Sequence, residues 1–89
     1  MKAVISVTGK DTLGIIAEVS NACSAHGVNI VDISQSVMKE YFAMIMLVDI
    51  DKLNIPFTEF VDELDKLGVE KGLVIHTMHE DIFNSMHRI

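Results

Sequence analysis

The chain has 89 residues, 49% of them hydrophobic and 22% charged, with one Pro and no Trp. That length fits one domain, and the composition excludes disorder and Pro/Gly-rich linker or collagen-like structure. Seven Lys and Arg against thirteen Asp and Glu give a net charge of −6, which disfavours nucleic acid and anionic membrane surfaces as partners, since both are held by clustered basic side chains.

Chain order then gives the elements. Residues 2–8 alternate, with Ala3, Ile5 and Val7 on one side and Val4, Ser6 and Thr8 on the other, which predicts a first strand. Gly9-Lys10-Asp11-Thr12 reads as a turn whose Asp or Thr accepts hydrogen bonds from the free amides opening a helix. The helix runs to His26, with Ile16, Val19, Ala22 and Cys23 at spacings of three and four, and Gly27 stands where helices end in the left-handed conformation. Val28 to Met38 predicts a half-buried second strand, with Val31, Ile33 and Val37 opposed to Asp32, Ser34 and Ser36. Tyr41 to Ile50 is apolar on both faces until Asp49, the pattern of a central strand covered on both sides. Asn54-Ile55-Pro56 opens a second helix with the stripe Phe57, Phe60, Val61, Leu64 and Leu67, ended by Gly68. Leu73 to Met78 is the fourth strand, and Asp81 to Ile89 predicts an amphipathic tail helix carrying Ile82, Phe83, Met86 and Ile89 on one side. The order β-α-β-β-α-β predicts an α+β, ferredoxin-like sandwich, with two helices on one face of a four-stranded antiparallel sheet. A two-layer sandwich covers one sheet face, so the second apolar face of strand three is expected to be buried by another subunit or partly by the tail helix. The expected assembly is a homodimer.

Chemistry concentrates in the loop after strand one, where free amides and the positive helix end converge. Gly9 to Gly14 suits an anionic group, Gly14 allows close approach to the backbone, and Asp11 suits an ammonium group. The structural alternative is that Asp11 caps the helix and Gly14 permits tight helix-to-sheet packing. An acylphosphatase-like site needs an Arg in this loop, yet the single Arg is Arg88; a copper-carrying loop needs two thiolates, yet the single Cys is Cys23. An RNA-binding sheet needs aromatic residues with basic neighbours, whereas strand three offers Met44 and Met46 in an acidic chain. His76, His79 and His87 lack metal-ligand spacing, since His76 and His79 point to opposite faces of a strand. No metal site and no cofactor is expected. His26 is explained by the dipole at the end of helix one, and Cys23 by packing as a small hydrophobe. The lone Cys and the absence of a long apolar leader at the N-terminus predict a cytoplasmic protein.

Thr8-Gly9-Lys10-Asp11-Thr12-Leu13-Gly14-Ile15-Ile16, then a helix, then Gly27-Val28-Asn29-Ile30, resembles the signature of ACT domains. The resemblance spans residues 2–80, giving an ACT domain over 1–80 and a tail helix over 81–89, and His79 to Ile89 resembles the ending of small prokaryotic single-ACT proteins. It implies a regulatory, non-enzymatic protein that binds a small amino-acid-like ligand at a homodimer interface and acts in trans on a regulated protein. The ligand-binding positions it implies are Asp11, Leu13, Gly14, Ile15 and Asn29. Thr12-Leu13 replaces the family's Arg-Pro, and Gly9 stands where the serine-binding module has a His, so serine specificity does not transfer. The alternatives are a ligand-independent adaptor dimer and a small enzyme pairing Asp11 with a His across the dimer.

Overall fold

The computed structural model describes residues 1–10 and 14–86. Its order is β1 (Lys2–Gly9), α1 (Ile15–Ala25), β2 (Asn29–Met38), β3 (Tyr41–Asp49), α2 (Phe57–Lys71), β4 (Val74–His79) and α3 (Glu80–Met86). The four strands form one antiparallel sheet in the order β2-β3-β1-β4, the ferredoxin-like arrangement expected.

Register assigns the two faces. Ala3, Ile5 and Val7 pair with Val48, Met46 and Met44; all six are buried and share one core with Ile15, Val19 and Cys23 of α1 and Phe60 and Leu64 of α2. The buried stripe of α1 is thus 15-19-23, one helical turn apart at each step, with Ile16 and Ala22 flanking it half-buried. Met44 and Met46 fill the core rather than the open sheet face, where Tyr41, Ala43 and Ile45 stand instead. Gly27, with φ 75°, terminates α1 as expected.

Four expectations need correction. Gly68 lies inside α2, buried, and a Cβ there would come within 2.9 Å of the Leu73 carbonyl oxygen; the helix continues to Lys71 and ends at Gly72, with φ 70°. Gly68 is therefore a close-packing residue and Gly72 the left-handed cap. In β2 a register shift between Ile30 and Asp32 brings Ile30, not Val31, opposite core residue Val48, so the alternation slips by one. Val31 is 48% and Val37 68% exposed, and only Ile30 and Ile33 pack on the core. β3 is central, but one face alone is fully covered: Tyr41 remains 51% and Ile45 44% exposed. The tail helix begins at Glu80, and Ile89 lies outside the described residues.

The face away from α1 and α2 is partly roofed. Val4 stands there, paired with Leu47 and Met78, yet it is only 4% exposed. Since α3 packs against β1 and β4, it is the element that covers Val4.

Candidate functional site

Of the five ligand positions implied by the sequence, Asp11 and Leu13 lie outside the described residues. The role of Asp11 as helix cap or ammonium partner falls there too. Gly14 is exposed and is the N-cap of α1, with φ 79° and ψ −4°. A Cβ on Gly14 would meet nothing within 4 Å among the described residues, the sheet included, so it does not serve tight helix-to-sheet packing. Its value is the left-handed turn that aims the chain into the helix. The first helical bond runs from the Glu18 amide to the Gly14 carbonyl (3.1 Å), and no side chain among the described residues caps this end. The amides of Ile15, Ile16 and Ala17 precede that bond and point out of the helix end, as donors suited to a carboxylate. Ile15 can take part through its backbone only, because its side chain is buried in the core.

Asn29 does not join this group within one chain. It opens β2 opposite Asp49, which pairs with Lys2 at the start of β1. Gly9, the last residue before the loop, pairs with Phe42 at the far end of the sheet. Seven residue steps along a strand separate the two ends, roughly 23 Å at about 3.3 Å per residue. Around Asn29, Gly27, Asp49, Asp51 and Lys52 line a hollow of about 390 Å³. Asp51 pairs with the Met1 ammonium, which holds its carboxyl below the ordinary carboxylate range and raises the amine. At the loop end, Thr8, Gly9, Ser36, Met38, Tyr41, Phe42 and Ala43 line a mainly apolar hollow of about 200 Å³, and the Lys10 ammonium lies 5.5 Å from the centre of the Tyr41 ring.

The histidines divide by role. His76 and His79 do face opposite sides, paired with Ser6 and Ala3; His79 stacks on Phe57 at 4.2 Å, and His87 lies outside the described residues. Among the described residues no group of three or more His, Cys, Asp or Glu is placed to hold a metal ion. His26 does more than the dipole explanation assigns: its Nδ1 lies 3.2 Å from Asn54 Oδ1 and its Nε2 2.8 Å from Glu63 Oε2. Asn54 in turn donates its amide to the His26 carbonyl (3.0 Å) and its side-chain Nδ2 to the Ala25 carbonyl (3.3 Å). Sequence spacing gave no sign of this clamp, whose members are 28 and 37 positions apart. Cys23 is fully buried, and burial pushes its thiol up to about 11. No helix among the described residues is long and apolar enough to cross a membrane.

The family model of the ACT domain matches residues 2–78. A protein of Methanococcus maripaludis is 50% identical over 86 residues, covering 97% of this chain and 96% of its own. An ACT domain protein from Streptococcus pneumoniae of solved structure is 41% identical, with TM-score 0.80 and 93% of each chain covered. The regulatory subunit of aspartate kinase from Thermus flavus shares the fold at 24% identity and TM-score 0.63, over 88% of this chain and 51% of its own. With the strand order, the Gly14 turn and the Gly27 stop in the expected places, the chain belongs to the ACT domain family.

Proposed function

We propose that this protein is a homodimeric regulatory module that binds an amino acid between two copies and transmits the bound state to a separate protein, without catalysis of its own. The observation that carries the reading is the placement of Gly14 and Asn29 at opposite ends of the sheet, alongside an edge strand with little cover. β2 is ten residues long, lies at the sheet edge and leaves Val31, Val37 and Met38 exposed, the kind of edge that pairs with another strand. Two β2 strands paired antiparallel about a two-fold axis set the Asn29 end of one copy beside the loop end of the other. Each composite site then has the first amides of α1 for a carboxylate and, from the second copy, the Asn29 side-chain oxygen for an ammonium group. Asp11 and Leu13 complete the loop side in this reading, with Gly14 and the Ile15 backbone. Ligand held by both copies favours the paired state, and a partner that distinguishes paired from unpaired chains reads it out. The same fold serves in the regulatory subunit of aspartate kinase from Thermus flavus.

Thermal unfolding in the presence of each of the twenty amino acids tests this. A ligand at 100 times its Kd stabilises the native state by about 2.7 kcal/mol, a shift of roughly 10 °C or more for a domain of this size. Asn29→Ala, at an exposed position, abolishes the shift while leaving the unliganded melting point unchanged. Absence of a shift with every amino acid overturns the sensor and leaves the ligand-independent adaptor.

A further inference from the structure

We propose that the hollow on the open sheet face beside the β1–α1 loop is the pocket for the ligand's own side chain, that it selects an apolar one, and that Lys10 at its mouth holds the ligand's carboxylate. The inference rests on the reading of an amino acid bound at the loop end and names its class. Sheet register makes the hollow. Ser36, Ala43 and Thr8 stand side by side across β2, β3 and β1, three small side chains in one cross-strand row. In the next row outward Met38 pairs with Tyr41, and these two large side chains, both exposed, wall the floor that the small ones leave low. The space is about 200 Å³, roughly the share of seven water molecules. Its lining holds no charged group, so a charged side chain entering it would lose hydration without a partner, whereas an apolar one gains by leaving water.

Charge sets the head group. The Lys10 ammonium lies 5.5 Å from the centre of the Tyr41 ring, and Tyr41 is a wall of the hollow. Lys10 is exposed and enters none of the ion pairs among the described residues. The β2–β3 turn adds Lys39 and Glu40 at the same end, so cations outnumber carboxylates among the described residues there, in a chain of net charge −6. The opposite end of the face carries Lys2 with Asp32 and Asp49, and α3 starts beside it with Glu80 and Asp81. An anionic head is drawn to the Lys10 end. By register Asn29 stands on the same face as the hollow, opposite Asp49, so antiparallel β2 pairing brings Asn29 of the second copy toward the hollow. Carboxylate, ammonium and side chain then each meet suited chemistry: Lys10 with the first amides of α1, the Asn29 oxygen, and the floor around Ala43.

Titration calorimetry of the full chain tests this with alanine, valine and leucine, with threonine, asparagine, aspartate and lysine, and with 4-methylpentanoate, which is leucine without its amine. Affinity is expected to rise from alanine to valine to leucine, by up to about fourfold per methylene, and to favour valine over threonine and leucine over asparagine. Ala43→Leu raises the floor at an exposed strand position and is expected to weaken leucine roughly tenfold, more than alanine. Lys10→Gln is expected to weaken every ligand severalfold, and Lys10→Arg to retain wild-type affinity. Strongest binding of a polar or charged amino acid, or unchanged leucine affinity in folded Ala43→Leu, overturns the proposal and leaves the amino-acid sensor standing. A response to 4-methylpentanoate with none to any amino acid supports the hollow and overturns the sensor. No response to any of these compounds overturns the proposal, and the remaining amino acids then decide the sensor reading.

Discussion

Gly14 and Gly27 both hold left-handed backbone, with φ 79° and 75°, but their surroundings differ. A Cβ on Gly14 enters open space, whereas one on Gly27 would come within 2.4 Å of the Lys52 carbonyl oxygen. Gly14→Ala therefore carries conformational strain alone, about 1 kcal/mol. Gly27→Ala adds a backbone clash that must displace the segment around Lys52, and its cost is expected to be at least double, read by urea unfolding of both variants. Cys23 supplies a pH signature. Its thiol titrates near 9.0 when unfolded and about 11 when buried in the fold; the native state thus retains a proton that the unfolded state releases above pH 9. The sign follows from linkage: stability falls as pH rises from about 9 toward 11. Cys23→Ala, although less stable at neutral pH for its lost packing, is expected to show a shallower decline over that interval. The same burial makes the native thiol inert to a disulfide reagent at pH 8, with labelling confined to the unfolding transition.

At the scale of elements, α1 and α2 are joined at one end by His26, Asn54 and Glu63. This clamp closes the C-terminal end of α1 and anchors the segment leading into α2, while the His26 ring meets Phe60 edge-on at 6.1 Å. A double-mutant cycle of His26→Ala and Glu63→Ala at pH 7 is expected to give a coupling of about 0.5–1 kcal/mol, modest because Glu63 is half exposed. Non-additivity near zero would mean that His26 acts through Asn54 and Phe60 alone. The clamp also marks the boundary of what one chain's pattern discloses. Strand alternation in β1, the stop at Gly27 and the stripe Phe60-Leu64 are local consequences of period and backbone sterics, and the sequence carries them openly. The bulge in β2 is not local: Val31 slips because Ile30 finds Val48 on β3, a partner that spacing within β2 does not reveal. Gly68 misleads for a related reason. Its close approach to Leu73 and Ile75 is a tertiary demand for a missing side chain, which in sequence looks identical to a helix stop.

At the scale of the whole molecule the proposed site spans two copies; the family resemblance implies an interface, but not which residues each copy supplies. The loop motif and Asn29 are recognisable as family positions, but their separation by the full length of the sheet appears only once β1, β3 and β2 are laid in register. A composite site makes a quantitative demand. In a two-fold dimer each site takes its loop from one copy and its Asn29 from the other. A copy altered at Gly14 (Gly14→Val) and a copy altered at Asn29 (Asn29→Ala) each form homodimers with no intact site. Mixed in equal amounts and allowed to exchange, half of the dimers become heterodimers, in which one site collects both substitutions and the other collects neither. Titration of that mixture with the amino acid that shifts the wild-type melt is expected to recover about a quarter of the wild-type binding capacity at wild-type affinity. A site built within single chains predicts no recovery, since every chain in the mixture carries one defect. Recovery that appears only after subunit exchange is the result that assigns Gly14 and Asn29 to opposite copies.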